Sequence, residues 1–176
     1  MNDSTVEYWK SHRGSDLAQG DYLRSCLVPV VPRNLSTSAT EYDVNVGEAN
    51  LIVITQSCDL ANDRAEFVAL CPILPLSELE SQMPQFKRRG AWEEVRKGRR
   101  EGLHMLAGPD EPQDNRNALV VDFRQIYSLP FEYLSNHASQ IAPRWRLQSP
   151  FLEHFSQAFA RFFMRVGLPS AIPPFK

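Results

Sequence analysis

Leu51-Ile-Val-Ile-Thr-Gln-Ser-Cys-Asp-Leu60 is the stretch on which the fold turns. Its first four residues are apolar and mostly β-branched, with no helical spacing, and they give way to a polar stretch that presents a cysteine beside a carboxylate. A second run, Glu66-Phe-Val-Ala-Leu-Cys-Pro-Ile-Leu74, has the same character and follows a polar stretch containing Asn62-Asp63. Two such runs predict strands over Leu51–Thr55 and Glu66–Leu74, paired as an antiparallel hairpin with Cys58 and Asp59 at its open tip.

Upstream, a Gly20-Asp21 turn precedes a β-rich segment, which predicts a first strand over Asp21–Val31. Pro29 and Pro32 cannot donate to a ladder, so this strand belongs at an edge or carries a bulge near its end. Asn34–Thr40 is rich in Ser and Thr and reads as a loop, followed by a short strand over Tyr42–Val46 and a turn at Gly47. Downstream, Gly108–Asn115 reads as an exposed loop and Ala118–Phe123 as a further strand. Leu129-Pro130 is expected to break that element, with a short helix over Phe131–Ser139 after it. Short links without long intervening helices point to a small barrel or curled sheet.

The C-terminal segment has the clearest helical signature. Ser149 suits the N-cap, Pro150 the first helical position and Glu153 the first turn, and Gly167-Leu168-Pro169 supplies a stop. Leu152, Phe155, Phe159, Phe162 and Val166 recur every three or four residues and share a face. That stripe needs a cover, which is either the chain's own sheet or the groove of a partner protein meeting Phe155, Phe159 and Phe162. His154, Gln157, Arg161 and Arg165 lie along the polar side. They form either an anion-binding strip or simply the basic residues that complement a helix C-terminus.

A length of 176 residues suits one domain. It is read as a barrel core over about 20–128, a basic insertion over 86–101 and a helical extension over 129–176, so the expected class is α+β, a β-rich small SH3-like barrel. A net charge of −2 carries no global signal for nucleic acid or an anionic membrane, so any such surface must be local. Among the first 25 residues, Asp3, Glu7, Lys10, Arg13, Asp16 and Asp21 interrupt the stretch with charge, and there is no apolar core of a signal peptide. No run approaches the roughly 18–20 apolar residues of a membrane span, and a cytoplasmic location is the default expectation. Cys26, Cys58 and Cys71 are odd in number and lack CxxC spacing, which argues for reduced thiols over a disulfide framework or a zinc ribbon. No metal or cofactor is implied.

Two features carry candidate chemistry. Cys58 becomes a nucleophile if a neighbouring base lowers its thiol pKa, and His104 or His137 is available for that role with Asp59 as the orienting carboxylate. Alternatively Cys58 is a metal ligand, or it fills an apolar niche while Asp59 accepts hydrogen bonds from the local backbone. The second feature is the segment from Phe86 to Glu101, where seven basic residues against three acidic ones leave a local excess of four positive charges. Lys87, Arg88, Arg89, Arg96, Lys97, Arg99 and Arg100 could track a phosphate backbone while Phe86 and Trp92 stack on bases. Glu93 stands three and four residues before Arg96 and Lys97, which is also the spacing of ion pairs on a solvated helix. Gly90, Gly98 and Gly102 disfavour one continuous helix.

The order Gly20-Asp21-Tyr22, then Leu51-Ile-Val-Ile, then Glu66-Phe-Val-Ala-Leu-Cys-Pro-Ile73 resembles the MazF/PemK family of small barrel toxins over about residues 20–76. Those proteins open on a Gly-Asp strand and continue through "PALVLS" and "IVCPIT" strands. The resemblance implies an SH3-like barrel and a bacterial toxin–antitoxin or phage-defence setting, with protein or nucleic-acid partners. The family's ribonucleases place an arginine just before the second motif and a threonine or serine at the close of the third. The corresponding residues are Ala49 or Asn50 and Leu74, which supply neither cation nor hydroxyl. The expected role is therefore a non-catalytic binding or regulatory module. A cysteine- or metal-dependent hydrolase built on Cys58, Asp59 and His104 is the alternative.

Overall fold

The apolar run at Leu51 is continuous because both faces of its strand are covered. The structure is a computed structural model, and it describes residues 7–32, 41, 43–62, 65–110, 112 and 114–164. In strand β3 (Asn45–Val53), Leu51 and Val53 enter one core while Ile52 and the following Ile54 enter another. Strand β4 (Phe67–Pro75) divides the same way, with Val68 and Leu70 on one side and Cys71 and Ile73 on the other. The two pair antiparallel, Ile52 opposite Cys71, as the hairpin reading expects.

Details of that hairpin differ from expectation. Gly47 makes no turn; it lies inside β3 opposite Val28, and a Cβ there would stand 3.0 Å from Val30 Cγ2. The glycine serves close packing within one long strand, and Leu51–Val53 is its C-terminal part. Cys58 and Asp59 sit on a short helix, α1 (Ser57–Ala61), in place of an open tip. Asn34–Thr40, Tyr42, Asp63, Arg165, Val166 and Gly167-Leu168-Pro169 lie outside the described residues.

The remaining strands are β1 (Trp9–His12), β2 (Asp21–Val30), β5 (Leu103–Leu106), β6 (Leu119–Asp122), β7 (Tyr127–Pro130) and β8 (Arg144–Leu147). Every pairing is antiparallel, in the order β1-β8-β2-β3-β4-β6-β5, with β7 also on β4. This is an α+β fold on an eight-stranded antiparallel sheet whose path does not close. β6 and β7 share one edge of β4, Leu119–Val121 opposite its C-terminal end and Tyr127–Pro130 opposite its start. Leu129-Pro130 thus belongs to a strand. Pro130 stands at its last position, where a missing donor is tolerated.

Two helices cover the two faces. Helix α4 (Phe131–Gln140) sets Leu134 and Ala138 against Leu23, Cys26, Leu51 and Val53. Helix α5 (Phe151–Phe163) sets Phe155 among Ile52, Ile73, Val121 and Phe123 on the opposite face. Pro150 occupies the N-cap position of α5 and Ser149 lies outside it, with no side-chain cap bond. The basic segment forms a third, smaller core. Helix α2 (Leu76–Gln82), a 3-10 turn over Pro84–Lys87 and helix α3 (Arg89–Arg96) bury Leu76, Leu79, Phe86 and Val95 against Leu103 and Val120. Among the described residues no helix is long and apolar enough to cross a membrane.

Candidate functional site

β5 separates two environments by its alternation. Leu103 and Met105 face the small core around Phe86, whereas His104 and Leu106 face α5. Between α3 and β5 the chain reverses at Gly98 (φ 65°) and Gly102 (φ 75°), both in the left-handed region that glycine tolerates best. At Gly102 a Cβ would come within 2.6 Å of Arg124 Cγ, so the wall is closely packed there. The reversal leaves a cleft of ≈ 490 Å³ between this segment and α5. Arg100, Glu101 and His104 line one side, and His154, Gln157, Arg161 and Phe162 line the other. The basic segment and the polar strip of the terminal helix, distant in sequence, meet here.

Charge in the cleft is unevenly committed. Arg96 Nη2 lies 2.9 Å and Lys97 Nζ 3.7 Å from Glu93 Oε2, and Arg99 Nη1 lies 3.3 Å from Glu94 Oε1. These are the local ion pairs of a solvated helix, which contribute little because water screens both partners. Arg100 instead places its guanidinium 5.8 Å from the centroid of the Phe86 ring, and among the described residues neither it nor Arg161 pairs with a carboxylate. His104 stacks on Phe123 at 5.8 Å and lies 5.9 Å from Phe155. Burial, reinforced by His154, pushes its pKa down to about 4, so its ring is neutral at pH 7 and offers one donor and one acceptor.

The other residues of the basic segment divide between surface and core. Lys87 and Arg88 are exposed, and Arg89 opens α3. Phe86 is buried and Trp92 packs half-buried against the same core, so the two rings expected to stack on bases are structural. The aromatic surface beside the cleft belongs to α5, where Phe162 lines the wall and the exposed Phe163 ring stands 4.9 Å from it. The chain itself covers the phenylalanine stripe fully at Phe155 and in part at Phe159 and Phe162. Phe155 is fully buried, and Phe159 meets Phe123 edge-on at 5.4 Å, which takes Phe155 out of a partner's reach.

Cys58 is exposed rather than buried in an apolar niche, and its Sγ lies 3.7 Å from Gln56 Oε1 and 3.9 Å from Asp59 Oδ1. His104 is under α5, and His137 Nε2 is bonded to the carbonyl of Arg24 at 2.8 Å, so no histidine stands among the partners of Cys58. What holds α1 in place is structural: the backbone N–H of Gln19 donates to Ser57 Oγ at 3.1 Å, and Asn62 Nδ2 donates to the Cys58 carbonyl at 2.6 Å. Among the described residues no three His, Cys, Asp or Glu side chains gather as metal ligands.

Ala49, Asn50 and Leu74, the positions singled out by the resemblance to the barrel toxins, line one cavity of ≈ 390 Å³. Its charged lining residues are Glu48 and Glu78. Two carboxylates on one cavity disfavour an anionic ligand there. No protein-family model matches the chain, and no curated protein matches it.

Proposed function

We propose that this chain is a non-catalytic binding module that holds a single-stranded nucleic acid in the cleft between Gly98–Met105 and α5. The observation that carries the reading is the convergence of Arg100 and Arg161, neither neutralised by a carboxylate among the described residues, on one cleft with the Phe162–Phe163 rings at its rim. Guanidinium groups bind backbone phosphates, and an aromatic platform accepts any base by stacking, which is the chemistry of sequence-tolerant single-strand binding. On this reading the core strands are a divergent SH3-like barrel of MazF/PemK type, and residues 86–101 are an insertion into it. The setting that accompanies such a core is a bacterial toxin–antitoxin or phage-defence module.

Fluorescence anisotropy with labelled single-stranded RNA and DNA, across a salt series, tests the reading. Arg100→Ala and Arg161→Ala should each flatten the log–log salt dependence by about 0.7, the contribution of one phosphate contact on a single strand. Phe163→Ala should weaken binding by about 1–3 kcal/mol without changing that slope. Absence of binding at low salt would remove the proposal.

A further inference from the structure

Tyr22 and Arg24, two residues apart on β2, share one face of the sheet, and a bulge follows them. Leu23 and Cys26 both pack into the core beneath α4, so two residues, Arg24 and Ser25, stand between them where regular alternation allows one. The pairing with β3 shifts register at this point, Ser25 adopts φ 52°, and its N–H donates to Asn50 Oδ1 at 3.0 Å.

Tyr22 and Arg24 line a cavity of ≈ 460 Å³ that is separate from the cleft beside α5. Trp145, opposite Tyr22 on β8, lines it as well, together with Ser77 and Asp110. The wall at Gly108 is immovable in one sense: a Cβ there would stand 2.3 Å from the Asn117 carbonyl oxygen. Tyr22 is only 7% exposed, yet among the described residues its hydroxyl makes no hydrogen bond. Among the described residues no fully buried polar side-chain atom is left without a partner, so that hydroxyl opens on the cavity. The indole N–H of Trp145 has no partner among the described residues, and no carboxylate pairs with Arg24.

We infer that this cavity binds a nucleotide, with the heteroaromatic ring against Trp145, the phosphate on Arg24 and the Tyr22 hydroxyl bonded to the ligand. Each group supplies what the others lack. An indole offers a large flat apolar surface with a polar edge, and an unpaired guanidinium matches phosphate with two parallel bonds. Asp110 is an acceptor for the hydroxyl and amino groups that a nucleoside carries. The volume lies within the range of small-ligand sites, about 300–1,000 Å³. The Tyr22 hydroxyl opens on the cavity and is available to a ligand that reproduces the hydrogen bonds water makes there. This inference does not rest on nucleic-acid binding beside α5.

Titration of the full chain with adenosine 5′-monophosphate, followed by tryptophan fluorescence and by calorimetry, tests it. Saturable binding is expected, weakened about tenfold or more in Arg24→Ala and by a similar factor when adenosine replaces the nucleotide. Tyr22→Phe removes only a hydroxyl and should weaken binding several-fold with the circular dichroism spectrum unchanged. Trp145→Phe should abolish the fluorescence response while calorimetry still detects binding. Arg161→Ala should leave the titration unaltered. Failure to saturate would overturn the inference, as would inorganic phosphate binding as tightly as the nucleotide. Binding that survives Arg24→Ala but is lost in Arg161→Ala would overturn it too, by placing the nucleotide beside α5.

Discussion

Arg144 and Asp21 form an ion pair sealed from solvent: Nε lies 3.1 Å from Oδ2, with side chains 1% and 0% exposed. Arg146 adds Nη2 to the same oxygen at 2.9 Å, and the N–H of Ala18 donates to it at 3.1 Å. The remaining nitrogens of Arg144 donate to the carbonyls of Gly14, at 2.6 Å, and Asp16. β8 is thereby locked to β2 and to the segment that precedes it. Fully bonded on both sides, the pair offsets its own desolvation; broken, it leaves a charge stranded in the core.

Arg144→Met should therefore cost about 3–5 kcal/mol in urea denaturation. Arg146→Met should cost less, because Arg146 is partly exposed and Asp21 keeps Arg144. Equal losses in the two variants would contradict this account.

Acid should destabilise the fold through His104. Burial and the neighbouring His154 hold its folded pKa at about 4, below the unfolded value of about 6.5. Between those values the unfolded chain binds a proton that the folded chain refuses. The stabilising difference is thus complete above pH ~6.5 and is lost as pH falls toward ~4, by about 3 kcal/mol in all. His104→Gln, which cannot titrate, should lose less stability between pH 7 and pH 4.5 than the parent, as read from urea midpoints. Identical pH dependence would refute the assignment.

Phe155 and Phe163 should behave oppositely although both are phenylalanines on α5. Phe155→Ala opens a void beside Phe123 and His104 and should cost about 3–5 kcal/mol. Phe163 is 53% exposed, and Phe163→Ala should change the thermal midpoint little, within about 0.5 kcal/mol. A folded Phe155→Asp monomer of unchanged stability would place that ring at an interface instead.

Thiol reactivity should divide one against two. Cys58 is exposed and should be modified by a disulfide reagent in the native protein. Burial pushes the pKa of Cys26 and Cys71 up to about 12, and both should react only on the timescale of unfolding. Fast labelling of all three under native conditions would disagree with the core described above.

Elements whose signal is local were legible in the residues alone. Leu51–Val53 and Phe67–Leu74 read as strands from composition, β6 from Leu119-Val-Val, and α4 and α5 from their apolar spacing. Misreadings arose where one residue type serves two purposes. Gly47 looked like a turn and is a point of close packing; Leu129-Pro130 looked like a break and ends a strand; Phe86 among arginines looked like a stacking platform and is a core residue. In each case the local preference is weak, a few kcal/mol at most (about 1–3), and tertiary packing outweighs it.

The sequence by itself determined the β-rich character of the chain, its antiparallel hairpin, the two covering helices and the presence of a basic segment. Local periodicity and composition are written residue by residue and need no partner to be read. Only the tertiary structure decided which distant side chains meet: Asp21 with Arg144, 123 residues on; Arg100 with Arg161 across a cleft; Tyr22 and Arg24 with Trp145. Those encounters follow from strand order and register, and a single-residue change of register exchanges the faces of a strand without altering its composition.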